Sequence, residues 1–454
     1  MGTSSETSGY TRASVKNAPA APVESIQAEP PKSTGRQLRV AFYAVYVALL
    51  MMAPTLVSFP ARYLGAPSDS ALTWTWLAIN AIAVLMVLAA VRAHPAALFV
   101  VIAFSAYIMI SPSWSVAPQI SLQYGSTLVG VLCVAYLMSV DMNMRGVLIL
   151  IARVTVTLSV IGLILYVLRA DVAIYVDAAN RSNLLGTSPF KGLFPHKIVA
   201  GYYAATGIVA ILATSRRGLG RVLGIICLLA VVMLSSSSTA LVLLPFAVAI
   251  YLLTRRALDR GMRTRAWIAS LVVTATAGGF LMAWTWSDVL GLLSRDATLT
   301  GRTVLWDWGI RTWAERPIFG WGYGAYFETP EAAAVAWSIP EFRSWDVPHF
   351  HETYIQTAVD FGLVGLVALV VVLWKVLVRS YKHGAALGSS VAAGTFAIAL
   401  TAVAAGFVMY LVPSYAYTEV VPLFLFITLF STGALEKLRR RSEKVKSRRP
   451  LGVR

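Results

Sequence analysis

Residues 347–365 read VPHFHETYIQTAVDFGLVG and gather ionisable groups at the edge of a long apolar run. His349 and His351 stand two apart, and Glu352 follows directly. An imidazole that is neutral near pH 7 can take a proton from a hydroxyl, so His351, directly before the apolar run, is a candidate general base, with His349 beside it a candidate for substrate binding. Glu352 is a second candidate for the base. Glu352, Gln356 and Asp360 recur at i, i+4 and i+8, which on a helix makes one polar stripe running ~12 Å into the apolar run. A carboxylate at the depth of Asp360 needs a partner or a polar cavity, either a ligand groove or a hydrogen bond between helices. Two histidines without a third and fourth ligand are weak evidence for a metal, and neither metal nor other cofactor is expected. No GxxxxGK[ST] or DxD occurs, which argues against an ATP-driven machine and a metal-held nucleotide-sugar.

Two further clusters carry cations. Lys191, His196 and Lys197 in KGLFPHK precede another apolar run. Cations are disfavoured at a helix N-terminus unless an anion is shared there, so the placement predicts an anionic ligand or lipid head groups. The stretch TGRTVLWDWGIRTWAERPIFGWGYGAYF, 300–327, predicts a helix capped by Thr300 or Thr303 and stopped by Pro317. Arg302, Trp306, Gly309 and Trp313 fall near one face, and Asp307, Arg311 and Glu315 form a charge ladder on another. The pattern predicts a helix lying on the membrane surface with its tryptophans toward lipid. Arg302 and Arg311 offer planar forks for phosphate. Tyr323 and Tyr326, with Trp321 and Trp345, offer aromatic surface for a ligand to stack on, and a place at the membrane interface explains them equally well.

The elements that must position these groups are membrane spans. The chain has 454 residues, 57% hydrophobic and only 13% charged. A soluble protein would carry about twice that charged fraction. The fold class is therefore all-α and polytopic, with about twelve transmembrane helices near 40–59, 71–91, 95–111, 120–139, 146–168, 197–214, 219–234, 238–254, 267–286, 353–374, 390–411 and 416–432. The net charge of +17 reads as positive-inside bias, with no nucleic-acid partner, because Lys and Arg concentrate in alternate connections. Both termini then lie in the cytoplasm. Residues 1–36 read as a disordered tail, 37–286 as spans one to nine, 287–352 as a large extracytoplasmic loop, 353–434 as spans ten to twelve and 435–454 as a basic tail. A loop of that length is more than a spacer and predicts a folded functional element. Arg153, inside span five, needs a partner or a watery pocket. A secondary transporter also suits twelve spans, but it predicts two similar halves, which the sequence does not show.

With these residues in view, the chain resembles the O-antigen ligase/polymerase superfamily. The resemblance rests on GRTVLW (301–306), PIFGWGYGAY (317–326) and HETYIQTAVDFGLVG (351–365), joined by SPSWSVAP (111–118), KGLFPHK (191–197) and SSSTAL (236–241), in order over roughly 95–435. It implies a bacterial inner-membrane enzyme with a periplasmic site. That enzyme transfers saccharide from undecaprenyl pyrophosphate, as an exopolysaccharide or O-antigen polymerase, or as a ligase onto lipid A core or protein. It also implies His351 as base, Arg302 first and Lys197, Lys191 and Arg311 second as pyrophosphate cations, and a flippase and chain-length or export proteins as pathway partners. The chain departs from the family at Ile198 and Glu352, where Asn is usual, and at Ser238, where many members place Arg.

Overall fold

The computed structural model describes residues 34–64, 68–90, 95–176, 182–183, 185–271, 273, 302–339, 347–411 and 421–431. These are almost wholly helical, with one isolated β-bridge, Ile174 to Phe190. The helices are α1 Thr34–Leu64, α2 Ser68–Ala90, α3 Pro95–Ile110, α4 Pro118–Asp141, α5 Met144–Val167, α6 Lys197–Thr214, α7 Leu219–Ser235, α8 Ser238–Asp259, α9 Arg302–Glu315, α10 Pro330–Ser338, α11 Thr353–Lys382, α12 Ser389–Gly406 and α13 Val421–Ser431. Among the described residues, seven helices are long and apolar enough to cross a membrane, and the apolar stretches Gln37–Met52, Leu77–Ala89, Leu219–Ser235 and Val421–Ser431 are shorter. The span expected at 267–286 lies mostly outside the described residues. So do most of the N-terminal tail, residues 287–301 of the loop, Trp345 and the basic C-terminal tail.

The centre of the bundle is α6, with α5, α7 and α8 around it, and α12 packs on α8, α6 and α11. α6 is rich in Ala and Gly and almost entirely buried. Such small residues let helix backbones approach closely where lipid removes the hydrophobic drive between helices. α4 is held against α1 by Arg39 and Tyr43, which both donate to Asp141, at 2.7 and 2.6 Å.

α9 turns Trp308 inward, while Trp306 and Trp313 stay half-buried. Its buried face is Leu305, Trp308, Gly309 and Thr312, and it packs on α11. The cause is local: a Cβ on Gly309 would meet Ile355 at 2.5 Å and the Phe350 ring at 3.0 Å, so the missing side chain lets the helices touch. Leu305, Trp308, Tyr326, Phe350 and Val359 form a small separate core beneath the loop. The described part of the loop is thus a folded unit.

α11 is broken at Gly362, which has φ +64°. A strap, residues 317–324, enters the break. Trp321 and Gly322 donate to the carbonyls of Val359 and Asp360, at 2.8 and 3.1 Å. Leu363 and Val364, the residues that would normally donate to those carbonyls, donate instead to Pro317 and Ile318, at 2.8 and 3.3 Å. The Phe361 carbonyl accepts from the Tyr107 hydroxyl at 3.0 Å. The helix loses its ladder and the strap replaces it bond for bond, as buried backbone requires. On the strap's other side, Trp114, Val116 and Ser121 donate to the carbonyls of Phe319, Trp321 and Tyr323. The segment SPSWSVAP therefore serves to grip the strap.

Candidate active site

Three helix N-termini carry the candidate groups. His196 caps α6, its Nδ1 accepting from the Ile198 N–H at 3.1 Å. Arg302 is the first residue of α9, and Glu352 caps α11 by accepting from the Ile355 N–H. His349 and His351 both feel the charges of Arg302 and His196, so the structure brings these four residues into one cluster. Each helix adds the positive end of its dipole to that cluster. An arrangement of this kind attracts an anion.

Within it, the His349 and His351 rings meet edge to face with centroids 4.1 Å apart. The His351 N–H donates to Nδ1 of His349 at 3.1 Å, so neutral His349 carries its proton on Nε2. His351 has φ +53°, a left-handed backbone that costs a non-glycine residue about 1–3 kcal/mol. The residues around it fix that conformation. Phe350 N–H donates to Oε1 of Gln356 at 2.9 Å, and Nε2 of Gln356 donates to Oδ1 of Asp360 at 3.1 Å. Burial, then the charges of Arg302 and His196, pushes His349 down to about 4. Burial and the same neighbours, with His349 itself, hold His351 well below the usual imidazole range. Both imidazoles are neutral at pH 7 and able to accept a proton.

Arg302 donates to the Val408 carbonyl at 2.8 Å, which pins the segment after α12 against the cluster. Lys197 lies over the Tyr175 ring at 5.0 Å, and Tyr175 in turn hydrogen-bonds Nε2 of His196 at 2.8 Å. The bridge from Ile174 to Phe190 and the bond from the Lys191 N–H to Ala173 fold Lys191 back beside that corner, half-buried.

Other expected contributors stand elsewhere. Arg311 is 76% exposed and paired with Asp307 along α9, so the structure does not turn it into the cluster. Tyr323 is fully buried against Tyr124 and Phe361. Tyr326 is buried among Trp308, Phe327 and Phe350 and accepts from Nε1 of Trp308 at 2.8 Å. Neither ring offers a face to a sugar. Trp321 is covered by the Arg316 guanidinium at 4.3 Å. Asp360 is spent on structure: it accepts from Gln356, from the Gly324 N–H at 3.1 Å and from the Tyr410 hydroxyl at 3.4 Å. The stripe Glu352–Gln356–Asp360 is therefore a ladder that ties the His351 corner to the strap. Arg153 is exposed on α5, opposite the buried stripe of Val154, Thr155 and Leu158, and supplies no charge to the site. Ser238 lies in the first turn of α8, behind the cap Ser237. What sequence reasoning missed is the segment 408–410, which touches both Arg302 and His349. Nothing in its residue types announces a site.

Glu352 can be tested apart from the histidines. Burial raises its carboxyl to about 7, against the opposing N–H groups of Ile355 and Tyr354. The folded state thus holds the proton more tightly than the unfolded chain. That stabilising contribution is complete below pH ~4.5 and is lost as pH rises through about 7. Glu352→Asn keeps a good cap and removes the titration. Its melting temperature should exceed that of the wild type by at least ~2 °C at pH 8, and the difference should vanish or reverse at pH 5. A difference independent of pH would show that the carboxyl does not titrate in this way.

The fold and this cluster define a polytopic membrane protein with an anion-attracting site beside a neutral histidine. Residues 223–370 match the O-antigen ligase family, a stretch that holds Arg302, His349, His351 and Glu352 but not Lys191, His196 or Lys197. The chain is also similar to the exopolysaccharide production protein ExoQ of Rhizobium meliloti, with 32% identity over 287 residues, 60% of this chain and 63% of that relative. The chain thus spans less than two thirds of that relative's length. Together the two matches support a relation to the O-antigen ligase/polymerase superfamily.

Proposed function

We propose that this chain is a membrane glycosyltransferase that joins undecaprenyl-pyrophosphate-linked saccharide units into exopolysaccharide or O-antigen on the periplasmic face of the inner membrane. The observation that carries the reading is the convergence of Arg302, His196 and three helix N-termini on a neutral His351.

In this reading a hydroxyl of the acceptor sugar attacks the anomeric carbon of the donor. The new C–O bond forms as the bond from that carbon to the pyrophosphate oxygen breaks. The electron pair leaves with the pyrophosphate, and His351 takes the hydroxyl proton. Charge grows on the leaving pyrophosphate, so fixed cations and helix dipoles there favour the transition state over the ground state. Arg302 supplies the charge of that field and the three helix N-termini their dipoles, with Lys197 and Lys191 beside them. The arriving anion also raises the affinity of His351 for a proton, since it offsets the cations that depress it. Glu352 holds the corner from which His351 projects. The leaving group needs no metal to depart.

The similarity to an exopolysaccharide production protein favours a polymerase. The family's description favours a ligase onto lipid A core or protein as the second reading. Deletion of the gene separates them. Loss of secreted polymer with accumulation of single lipid-linked units is the expected result. Intact lipid-linked polymer with unmodified lipid A core would make the chain a ligase. Unchanged glycans with lost uptake of a solute would overturn both and make it a transporter.

A further inference from the structure

Tyr175 lies outside every motif named above, yet the fold fixes it at the corner of the cluster. Its N–H donates to the Pro189 carbonyl at 2.8 Å. Two residues earlier, the Ala173 carbonyl accepts from the N–H groups of Lys191 and Gly192, both at 3.0 Å. The phenol ring meets the His196 ring edge to face, with centroids 4.5 Å apart, and carries the Lys197 ammonium over its face at 5.0 Å. Its hydroxyl hydrogen-bonds Nε2 of His196 at 2.8 Å. The residue is only half-buried, so a ligand at the cluster can approach it.

The direction of that bond is set from the helix. The Ile198 N–H donates to Nδ1 of His196, so this nitrogen presents a lone pair and the proton of the neutral ring sits on Nε2. Nε2–H therefore donates to the Tyr175 oxygen. The phenol cannot return its one proton to a nitrogen that is already protonated, so that proton is directed to an acceptor other than His196. An aspartate would cap α6 as well and hand on no proton. The histidine cap extends the chain of bonds by one group, and each bond polarises the next. With the Lys197 charge beside it, the phenol is a donor placed to meet an anion.

We propose that Tyr175 is a further substrate-binding residue, whose hydroxyl donates a hydrogen bond to an oxygen of the lipid-linked pyrophosphate in a direction set by His196. This rests on the functional reading above and adds a neutral donor to the cations of the site. No proton is transferred, and the O–H bond stays intact. The hydrogen bond strengthens as charge grows on the leaving pyrophosphate.

The test is binding of undecaprenyl pyrophosphate to the full chain in nanodiscs. Tyr175→Phe keeps the ring against His196 and under Lys197 and removes only the hydroxyl. It should weaken the probe about tenfold or more, the size of one hydrogen bond to a charged group. 3-Fluorotyrosine in place of Tyr175 supplies a more acidic phenol of nearly the same shape, and should bind the probe more tightly than the wild type does. A merely structural hydroxyl would not give that gain. His196→Asn keeps the cap and withdraws Nε2–H. Combined with Tyr175→Phe it should bind no more weakly than Tyr175→Phe alone, since His196 acts here through the phenol. Wild-type binding by Tyr175→Phe, no gain from the fluorinated ring, or losses that add in the double variant would overturn the proposal and leave the functional reading standing. So would displacement of the probe from the wild type by phosphatidylglycerol as readily as by unlabelled undecaprenyl pyrophosphate. Failure of the wild type to bind the probe would overturn the head-group reading itself, and the role of Tyr175 with it.

Discussion

Arg302→Ala should abolish high-molecular-weight polysaccharide while the protein still accumulates in the membrane. Removing a fixed donor from a site where charge develops costs about 10²–10³ in rate. Arg302 does more than supply charge. Its guanidinium holds the Val408 carbonyl, and through it the segment that packs Tyr410 on His349. The alanine variant loses the cation and loosens that wall together. Arg302→Lys separates the effects, since it keeps a charge but lacks the planar fork, and it should retain a small fraction of wild-type polymer. His351→Ala should give the same phenotype as Arg302→Ala for a different reason, the loss of the proton acceptor. Polymer length and amount on gels, against protein level in membranes, are the measurements. Normal polymer from both alanine variants would remove the site from this cluster.

The second large effect concerns a residue that touches no candidate group. Gly362→Ala should prevent a stable fold. At φ +64° an alanine is already strained. Its Cβ would also meet the Ile318 carbonyl oxygen at 2.1 Å and carbon at 2.2 Å. Both are strap backbone and cannot swing aside. To relieve the clash the strap must leave the break, which strands the carbonyls of Val359 and Asp360 and the N–H groups of Leu363 and Val364. A loss on the order of 3 kcal/mol or more is expected, enough to empty the detergent-soluble monodisperse fraction in fluorescence-detected size exclusion. Gly320→Ala should act likewise, because its Cβ would meet the Val359 carbonyl oxygen at 2.4 Å. A well-behaved Gly362→Ala protein would show that the strap is not laced into the helix.

Much of the fold was legible because spans announce themselves by length. α3, α4, α5, α6 and α8 begin and end close to where the apolar runs do. His351 and Arg302 were legible for another reason. Each is an ionisable residue at the start of a helix, and helix starts are visible in sequence. The strap was not legible. Its glycines at 320, 322 and 324 all have positive φ and thread between α11 and SPSWSVAP, a placement that only the folded partners reveal. The clue lay in Gly362 two residues after Asp360, a backbone break beside a buried carboxylate, but the partners that give it meaning come from Pro317–Gly324 and Tyr410. For the same reason Asp360 stood open between a ligand groove and a hydrogen bond between helices, and the burial of Tyr323 and Tyr326 did not show. An aromatic residue beside a glycine in a loop looks the same whether its ring faces solvent or fills a small core. Trp308 of α9 was not legible as a core residue, because a helix that packs on a neighbour has the same period as one that lies on lipid.

The central claim is that a neutral His351, set in a cationic cluster, drives release of a lipid pyrophosphate. The most direct measurement is release of undecaprenyl pyrophosphate by the purified full chain in nanodiscs, from the lipid-linked saccharide of its own host. The wild type should release it together with a lengthened lipid-linked saccharide, and His351→Ala should release it at least ~10²-fold more slowly with donor binding retained. Release by His351→Ala at the wild-type rate, or none by the wild type in the presence of donor and acceptor, would contradict the account.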